Sequence, residues 1–171
     1  MNYFKIFGLP INFKVDNKLL EARFYDLQRK LHPDRYLHQS EDKFDVLTKS
    51  ALVNQAWKVL SNPLSRAEYL LLLHGFDVNS EQDNNLMDTN FLKIQFDLRE
   101  ELQNIEQKSC LKELSNFANR IESSISKIYY QIEKEIESKN WEKAAKTLRK
   151  IRMFTKLRLK IEDLENKLLN L

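Results

Sequence analysis

Glycine and proline are scarce in this sequence, with two glycines and three prolines among 171 residues. All-β folds need these residues for their many tight turns, so their scarcity argues against a strand-rich fold. Hydrophobic residues make up 42% of the chain and charged residues 31%, which is typical of a folded globular protein. An all-α fold is therefore expected.

Cys110 is the single cysteine of the sequence. One cysteine excludes an internal disulfide and cannot by itself form a thiolate metal site. The three histidines, His32, His38 and His74, have no further cluster of ligands or catalytic groups beside them. We therefore expect no metal, no other cofactor and no enzymatic activity. The lone cysteine favours a reducing compartment. The sequence contains no long apolar run that would indicate a signal peptide or a membrane span. A cytoplasmic protein that does not bind membranes is predicted.

Neither sign of charge dominates, because the sequence contains 28 basic and 25 acidic residues and has a net charge of +3. A nucleic-acid-binding domain usually carries a strongly basic surface. A helix-turn-helix interpretation is also disfavoured, because the helix after the loop at residues 31–36 begins with Glu41, Asp42 and Asp45. The predicted partners are proteins, with no nucleic acid, and any positive surface must be local.

Four helices are predicted in the first 75 residues. A short aromatic run over residues 3–7, closed by Gly8, indicates one or two helical turns that dock on larger elements. Asp16 is a typical N-cap for an amphipathic helix over residues 17–31, which Pro33 must end. The apolar face of that helix consists of Leu20, Phe24, Leu27 and Leu31.

A helix capped by Ser40 completes a helical hairpin. Its predicted core face consists of Phe44, Leu47, Ala51, Asn54 and Leu60, with Asn54 as the polar exception. Asn62 and Pro63 are typical of the cap and first turn of a fourth helix, which Gly75 ends as a left-handed residue. The hairpin is thus flanked by two further helices.

A polar stretch over residues 76–87 is predicted to be a linker between two domains, residues 1–75 and 88–171. Asp88 caps a helix that runs to about residue 107, and a second helix covers about 109–137. Asn140 caps a third that continues nearly to Leu171. Three long helices with short connections predict an antiparallel three-helix bundle.

The loop between the two N-terminal hairpin helices reads Leu31-His32-Pro33-Asp34-Arg35-Tyr36. Pro33 disfavours helix at His32 and forces the chain outward, and Asp34 could accept a two-pronged hydrogen bond from an arginine of a partner. The motif in this position resembles a J domain. The resemblance implies that His32, Pro33 and Asp34 trigger ATP hydrolysis in a DnaK or HscA type chaperone. The simpler alternative is that Pro33 only stops a helix.

A basic surface on the preceding helix leads up to this loop. At about 100° per residue, Lys18 and Arg29 share one stripe, and Arg23 and Lys30 share another, both outside the core stripe. Such a surface would steer association with an anionic chaperone. We therefore predict that Arg23, Arg29 and Lys30 contribute to chaperone binding. The alternative is an ordinary solvated face.

Further segments along the chain resemble the HscB family of co-chaperones. They are Met1-Asn2-Tyr3-Phe4, Phe7-Gly8-Leu9, Asn54-Gln55-Ala56-Trp57, Arg66-Ala67-Glu68-Tyr69-Leu70, His74-Gly75-Phe76 and Leu98-Arg99-Glu100-Glu101-Leu102. The resemblance implies that the C-terminal domain binds an IscU type scaffold protein of iron–sulfur cluster assembly. The J domain would present that scaffold to an HscA type chaperone and stimulate its ATPase for cluster maturation and transfer. The alternative is a general J-domain co-chaperone for protein folding, which usually carries glycine-rich or cysteine-rich modules.

The helix after Asp88 carries two apolar faces. The predicted core stripe consists of Phe91, Ile94, Leu98, Leu102 and Ile105. Around the helix, Leu92 and Phe96 lie about 140° from the centre of this stripe. They are predicted to remain outside the core and to form an interface, or to pack on the J domain or the linker. Met153 lies to the side of the core positions Leu148, Ile151, Phe154, Leu157 and Ile161 and could complete the patch.

By resemblance, the client-binding surface of the HscB family maps onto six positions. They are Leu92, Lys93, Phe96, Asp97, Glu100 and Met153. Lys93 departs from the apolar residue that the family pattern leads us to expect, which weakens the expectation for that position.

Overall fold

The structure, a computed structural model, describes residues 2–32, 40–78 and 88–170. Within these ranges every regular element is an α-helix, which confirms the predicted all-α fold. The helices are α1 (Tyr3–Ile6), α2 (Asn17–Lys30), α3 (Ser40–Ser61), α4 (Pro63–Leu73), α5 (Thr89–Lys108), α6 (Leu111–Glu137) and α7 (Trp141–Leu169). The chain forms two compact units, Met1–Leu73 and His74–Leu171.

Side-chain caps fix where most of the helices begin. Asp16 accepts the Leu19 amide at 3.1 Å to start α2, and Asn62 accepts the Leu64 amide at 2.9 Å to start α4. Asp88 and Asn140 begin α5 and α7 in the same way. Each of these four side chains satisfies an amide that the helix itself leaves without an acceptor. These four predicted caps are confirmed, and the cap predicted at Ser40 remains a prediction.

Aromatic packing holds the short helix α1 within the first unit. Tyr3 stacks on Tyr69 of α4 with ring centroids 4.5 Å apart, and its amide donates to the Tyr69 hydroxyl at 3.0 Å. Phe4 is fully buried beneath them, and Phe24 of α2 stacks on Trp57 of α3 at 4.5 Å. The predicted docking of the first helical turns is therefore confirmed.

A buried arginine also ties the first unit together. Arg66 is only 5% exposed, and its guanidinium donates to the carbonyl of Leu60 at 2.7 Å and to that of Phe13 at 2.8 Å. It reaches the side chain of Asn17 at 3.4 Å as well. A guanidinium with several acceptors can remain buried because its donors are satisfied. This role of Arg66 was not predicted from the sequence.

The predicted core face of α3 is wrong except at Leu60. Phe44 is 80% exposed and Leu47 is 49% exposed, and Ala51 and Asn54 are exposed as well. The buried positions of α3 are instead Val46, Val53, Ala56 and Leu60. This helix has an apolar stripe on each of two sides, so its periodicity alone does not identify the side that packs.

The second unit is a three-helix bundle. Its core consists of Leu102, Ile105, Leu114, Phe117, Ile121, Ile125, Phe154, Leu157, Ile161 and Leu164. Residues 109–110 connect α5 to α6, and residues 138–140 connect α6 to α7, so neighbouring helices run antiparallel as predicted. Ser109, at φ +50°, supplies the left-handed residue that ends α5.

Two parts of the second unit differ from the expected pattern. Ile94, predicted to lie in the core, is 48% exposed, because the core contacts of α5 come mainly from its C-terminal half. Residues 74–78, partly assigned to the linker, pack on the bundle: His74 stacks on Trp141 at 3.7 Å and Val78 is buried. Residues 79–87 of the predicted linker lie outside the described residues.

Candidate functional site

The first candidate site is the C-terminal end of α2. This helix ends at Lys30, and the Leu31 amide closes its last turn by donating to the Leu27 carbonyl at 2.9 Å. His32 follows outside the helix with its side chain exposed. Pro33 and Asp34, the other two residues of the predicted chaperone-binding motif, lie outside the described residues. The helix thus ends where a following proline requires it.

The structure separates the three basic residues predicted to accompany that motif. Arg29 is exposed and pairs with Asp26 one turn earlier, and Lys30 is exposed beside it. Arg23 instead turns inward: its guanidinium donates to the carbonyl of Phe7 and, at 2.6 Å, to that of Gly8. Arg29 and Lys30 are therefore exposed on the surface, whereas Arg23 links the segment after α1 to α2.

The second candidate site lies on α5 of the bundle. Leu92 is 48% exposed and Phe96 is 66% exposed, in agreement with the prediction that they lie outside the core. One helical turn separates them, so the two side chains share a face. Lys93, Asp97 and Glu100 are exposed around them. We call these five residues the α5 patch: a large apolar pair with charged neighbours.

Met153 is the one predicted site residue that comes from α7. It is half-buried, packs against the bundle core and lines a groove of about 240 Å³ between α5 and α7. Gln95 and Arg99 line the α5 side of the same groove. Because Gln95 directly precedes Phe96 and Arg99 follows it by three residues, the groove runs alongside the α5 patch.

Comparison with known proteins agrees with this two-part organisation. Residues 2–69 match the DnaJ domain family, and residues 87–162 match a family described as the HSCB C-terminal oligomerisation domain. The structure is similar to that of the chaperone HscB from Vibrio cholerae, with a TM-score of 0.85 and 33% sequence identity over 98% of this chain and 99% of the other. The chain belongs to the HscB family.

Two other solved structures extend the comparison. Human co-chaperone HscB is similar at a TM-score of 0.86 and 30% identity, over 95% of this chain and 81% of the human one. The Jac1 co-chaperone of Saccharomyces cerevisiae, at 22% identity and a TM-score of 0.77, covers 95% of this chain and 92% of its own and shares the fold. As an HscB-family protein, this chain is a J-domain co-chaperone of iron–sulfur cluster assembly.

The family assignment confirms the resemblance inferred from sequence and the order of a J domain followed by a helical domain. The domain bounds 1–75 and 88–171 remain predictions. Among the described residues of this HscB-family chain, no helix is long and apolar enough to cross a membrane. The groove beside Met153 was not predicted from the sequence, although the density of basic residues over 143–160 was a visible signal for it.

Proposed function

We propose that this chain binds an IscU type scaffold protein through the α5 patch and Met153, and delivers it to an HscA or DnaK type chaperone. The chaperone would be engaged by His32, Pro33 and Asp34, with Arg29 and Lys30 beside them, and its ATPase would be stimulated. The outcome is maturation of the iron–sulfur cluster and its transfer from the scaffold. The observation that most directly supports the proposal is the exposure of Leu92 and Phe96 on α5.

This pair supports a protein interface because large apolar side chains left exposed in adjacent turns are costly unless a partner covers them. Apolar burial stabilises an interface by about 25 cal/mol per Å² removed from water. Phe96 is 66% exposed and so has most of its ring available for such burial. Aromatic anchors surrounded by polar groups are the residues that most often dominate binding energy.

The charged residues of the α5 patch indicate which groups of a partner the proposed interface would match. Glu100 lies about 40° from Phe96 around the helix and Asp97 about 100°, both on the same side. Lys93 can lay its aliphatic stem against an apolar partner while its ammonium stays in water. A client with an apolar anchor and nearby basic groups would therefore match this side of α5.

The decisive experiment is steady-state ATP hydrolysis by an HscA type chaperone with its scaffold client. We expect the wild-type chain to stimulate hydrolysis strongly. Asp34→Asn should abolish stimulation at every concentration, because the neutral amide cannot accept a charge-assisted two-pronged bond from arginine. Phe96→Ala should shift the stimulation curve to higher concentration by about 5- to 150-fold, the equivalent of about 1 to 3 kcal/mol of lost binding energy.

Ile94 provides a matched control on the same helix. It is 48% exposed, as is Leu92, but lies on a different side of α5. Leu92→Ala should weaken scaffold binding, whereas Ile94→Ala should leave it unchanged, and both variants should retain the thermal stability of the wild type. Equal weakening by the two substitutions would contradict a localised α5 patch.

Two other outcomes would redirect the assignment. The family description names an oligomerisation domain, so sedimentation of the chain alone should be measured. Self-association that Phe96→Ala abolishes would assign the α5 patch to a second copy of the chain. ATPase stimulation that is as strong with an unfolded model client as with the scaffold would favour the general co-chaperone alternative.

A further inference from the structure

The groove between α5 and α7 is lined by a concentration of positive charge. Five of its nine lining residues are cationic and none is acidic; the cations are Arg99, Arg149, Arg152, Lys156 and Lys160. Apolar atoms of Met153 and Leu157 also line the groove. Several cations without a carboxylate among them create a positive potential that attracts an anionic ligand.

Three other cations of α7 form ion pairs with carboxylates of the same bundle. Lys146 pairs with Glu142 at 3.6 Å, Arg158 with Glu122 at 3.5 Å, and Lys167 with Glu106 at 3.3 Å. In the described ranges, no such ion pair is formed by Arg99, Lys156 or Lys160. The charges of Arg99, Lys156 and Lys160 are thus left for something outside the bundle.

The spacing of these three cations indicates the kind of ligand. Lys156 and Lys160 are four residues apart on a continuous helix, which at 1.5 Å per residue is about 6 Å, and Arg99 lines the groove from α5. Cations contributed by two helices favour a ligand with several negative groups. An extended peptide rises about 3.3 Å per residue, so two residues of an acidic segment cover the distance between the two lysines.

The position of the groove indicates which peptide. Around α5, Arg99 lies about 60° from Phe96 on the side opposite Glu100 and Asp97. The apolar pair is therefore flanked by a cationic groove on one side and by carboxylates on the other. Met153 belongs both to the groove and to the proposed client-binding surface. A protein docked on Phe96 would bring its neighbouring residues over the groove.

We propose that the groove binds a short acidic segment of the client scaffold, contacted chiefly by Arg99, Lys156 and Lys160 and adjacent in the client to the apolar group that packs on Phe96. This inference rests on the proposed client binding and adds the charge of the recognised segment. The groove then acts as a specificity element, because a client without acidic residues would leave the cations desolvated and unpaired.

The test compares Lys156→Gln/Lys160→Gln with Lys112→Gln/Lys127→Gln in the full chain. Both pairs remove two positive charges, but Lys112 and Lys127 are exposed on α6 away from the groove. Scaffold affinity is measured by calorimetry at low and high ionic strength. The groove variant should lose about 3- to 10-fold in affinity at low salt and most of its salt dependence, while the α6 variant behaves like the wild type.

Binding of a fluorescent hexaglutamate peptide provides a second readout, with hexaglutamine as its neutral counterpart. Wild type should bind only the acidic peptide, and the groove variant should lose that binding. The melting temperature of the groove variant should stay level or rise, because like charges have been removed. A fall would mean that Lys156 and Lys160 support the fold, which would overturn the assignment.

The possible failures are distinguishable. If the wild-type chain does not bind the scaffold at all, the proposed function fails. If it binds and the two double variants do so equally well, the α5 patch stands and the acidic-segment inference is overturned. Tighter binding of a single-stranded oligonucleotide than of the hexaglutamate, at the same salt concentration, would also overturn it by assigning the groove to nucleic acid.

Discussion

In the first unit, Arg23 and Arg66 turn inward to hold backbone carbonyls, whereas in the second unit Arg99 lines an open groove. Arg66 donates to the Phe13 carbonyl and Arg23 to the Phe7 and Gly8 carbonyls, all in the segment between α1 and α2. Arg99 contributes to the groove wall of the second unit. The same residue type therefore has a structural task in one unit and is available for a ligand in the other.

The reason for the difference lies in the connections between helices. Residues 7–16 connect α1 to α2 with irregular backbone, and the carbonyls of such a segment need donors from elsewhere. The bundle joins its helices by two or three residues, so far less of its backbone needs a side-chain donor. The stability of the first unit should consequently depend more on polar side-chain contacts than that of the second unit does.

The two tryptophans allow this contrast to be measured, because Trp57 lies in the first unit and Trp141 in the second. A Trp141→Phe background reports on the first unit, and a Trp57→Phe background reports on the second. Urea unfolding followed by fluorescence in each background would give separate free energies.

The largest effect should come from the bundle core. Phe117 is 1% exposed, and Phe117→Ala should lower the unfolding free energy of the second unit by about 3 to 5 kcal/mol through lost burial and the cavity left behind. Phe44→Ala is the control, since Phe44 is 80% exposed in α3 and should be nearly neutral. A small loss at Phe117 would contradict a bundle held by apolar packing.

Next in size should be Arg66→Met, measured in the Trp141→Phe background. It removes the donors for the Leu60 and Phe13 carbonyls and should destabilise the first unit by about 2 to 4 kcal/mol. Arg66→Lys keeps the charge but cannot reproduce the planar fork, so we expect it to recover little. Full stability with lysine would show that charge, and not donor geometry, is what the site requires.

A smaller loss is expected for Gly8→Ala, about 1 to 3 kcal/mol in the first unit. Gly8 has φ +58°, and an added Cβ would lie 2.9 Å from Nη1 of Arg23. Gly75→Ala is the comparison, because Gly75 has φ +85° but open space around the added carbon. The amount by which Gly8→Ala lowers the unfolding free energy more than Gly75→Ala does measures the contact with Arg23. Equal losses of unfolding free energy would mean that backbone conformation accounts for the whole effect.

The smallest effect on stability should come from charges that face outward in the first unit. Arg29→Glu/Lys30→Glu should change the unfolding free energy by less than about 1 kcal/mol, since the ion pair of Arg29 with Asp26 is largely exposed. Association with the chaperone, followed by stopped flow at low salt, should nevertheless slow several-fold. Unchanged association rates would remove these residues from the proposed chaperone surface.

Local chemistry explains which parts of the fold could be predicted from sequence. Asp16, Asn62, Asp88 and Asn140 cap helices through bonds to amides two or three residues away, so their role can be recognised without tertiary information. The exposure of Leu92 and Phe96 was also predictable, because a separate apolar stripe was already sufficient for the core.

Packing between helices explains the parts that could not be predicted. The two apolar stripes of α3 compete equally on a helical wheel, and only contact with its neighbours buries Val53 and exposes Phe44. Arg23 lay outside the core stripe of α2, but the carbonyls it reaches belong to a segment about 15 residues earlier. The groove required knowledge of how α5 packs beside the basic face of α7.

The bond from the Tyr3 amide to the Tyr69 hydroxyl has a consequence for the order of events during synthesis. Its partners are separated by 66 residues, whereas the bundle is built from helices joined by short turns. At roughly 5 to 20 residues per second, Tyr69 is added about 3 to 13 seconds after Tyr3. The nascent α1 thus lacks this partner until α4 has been made, so its aromatic side chains can dock only after Tyr69 has been added.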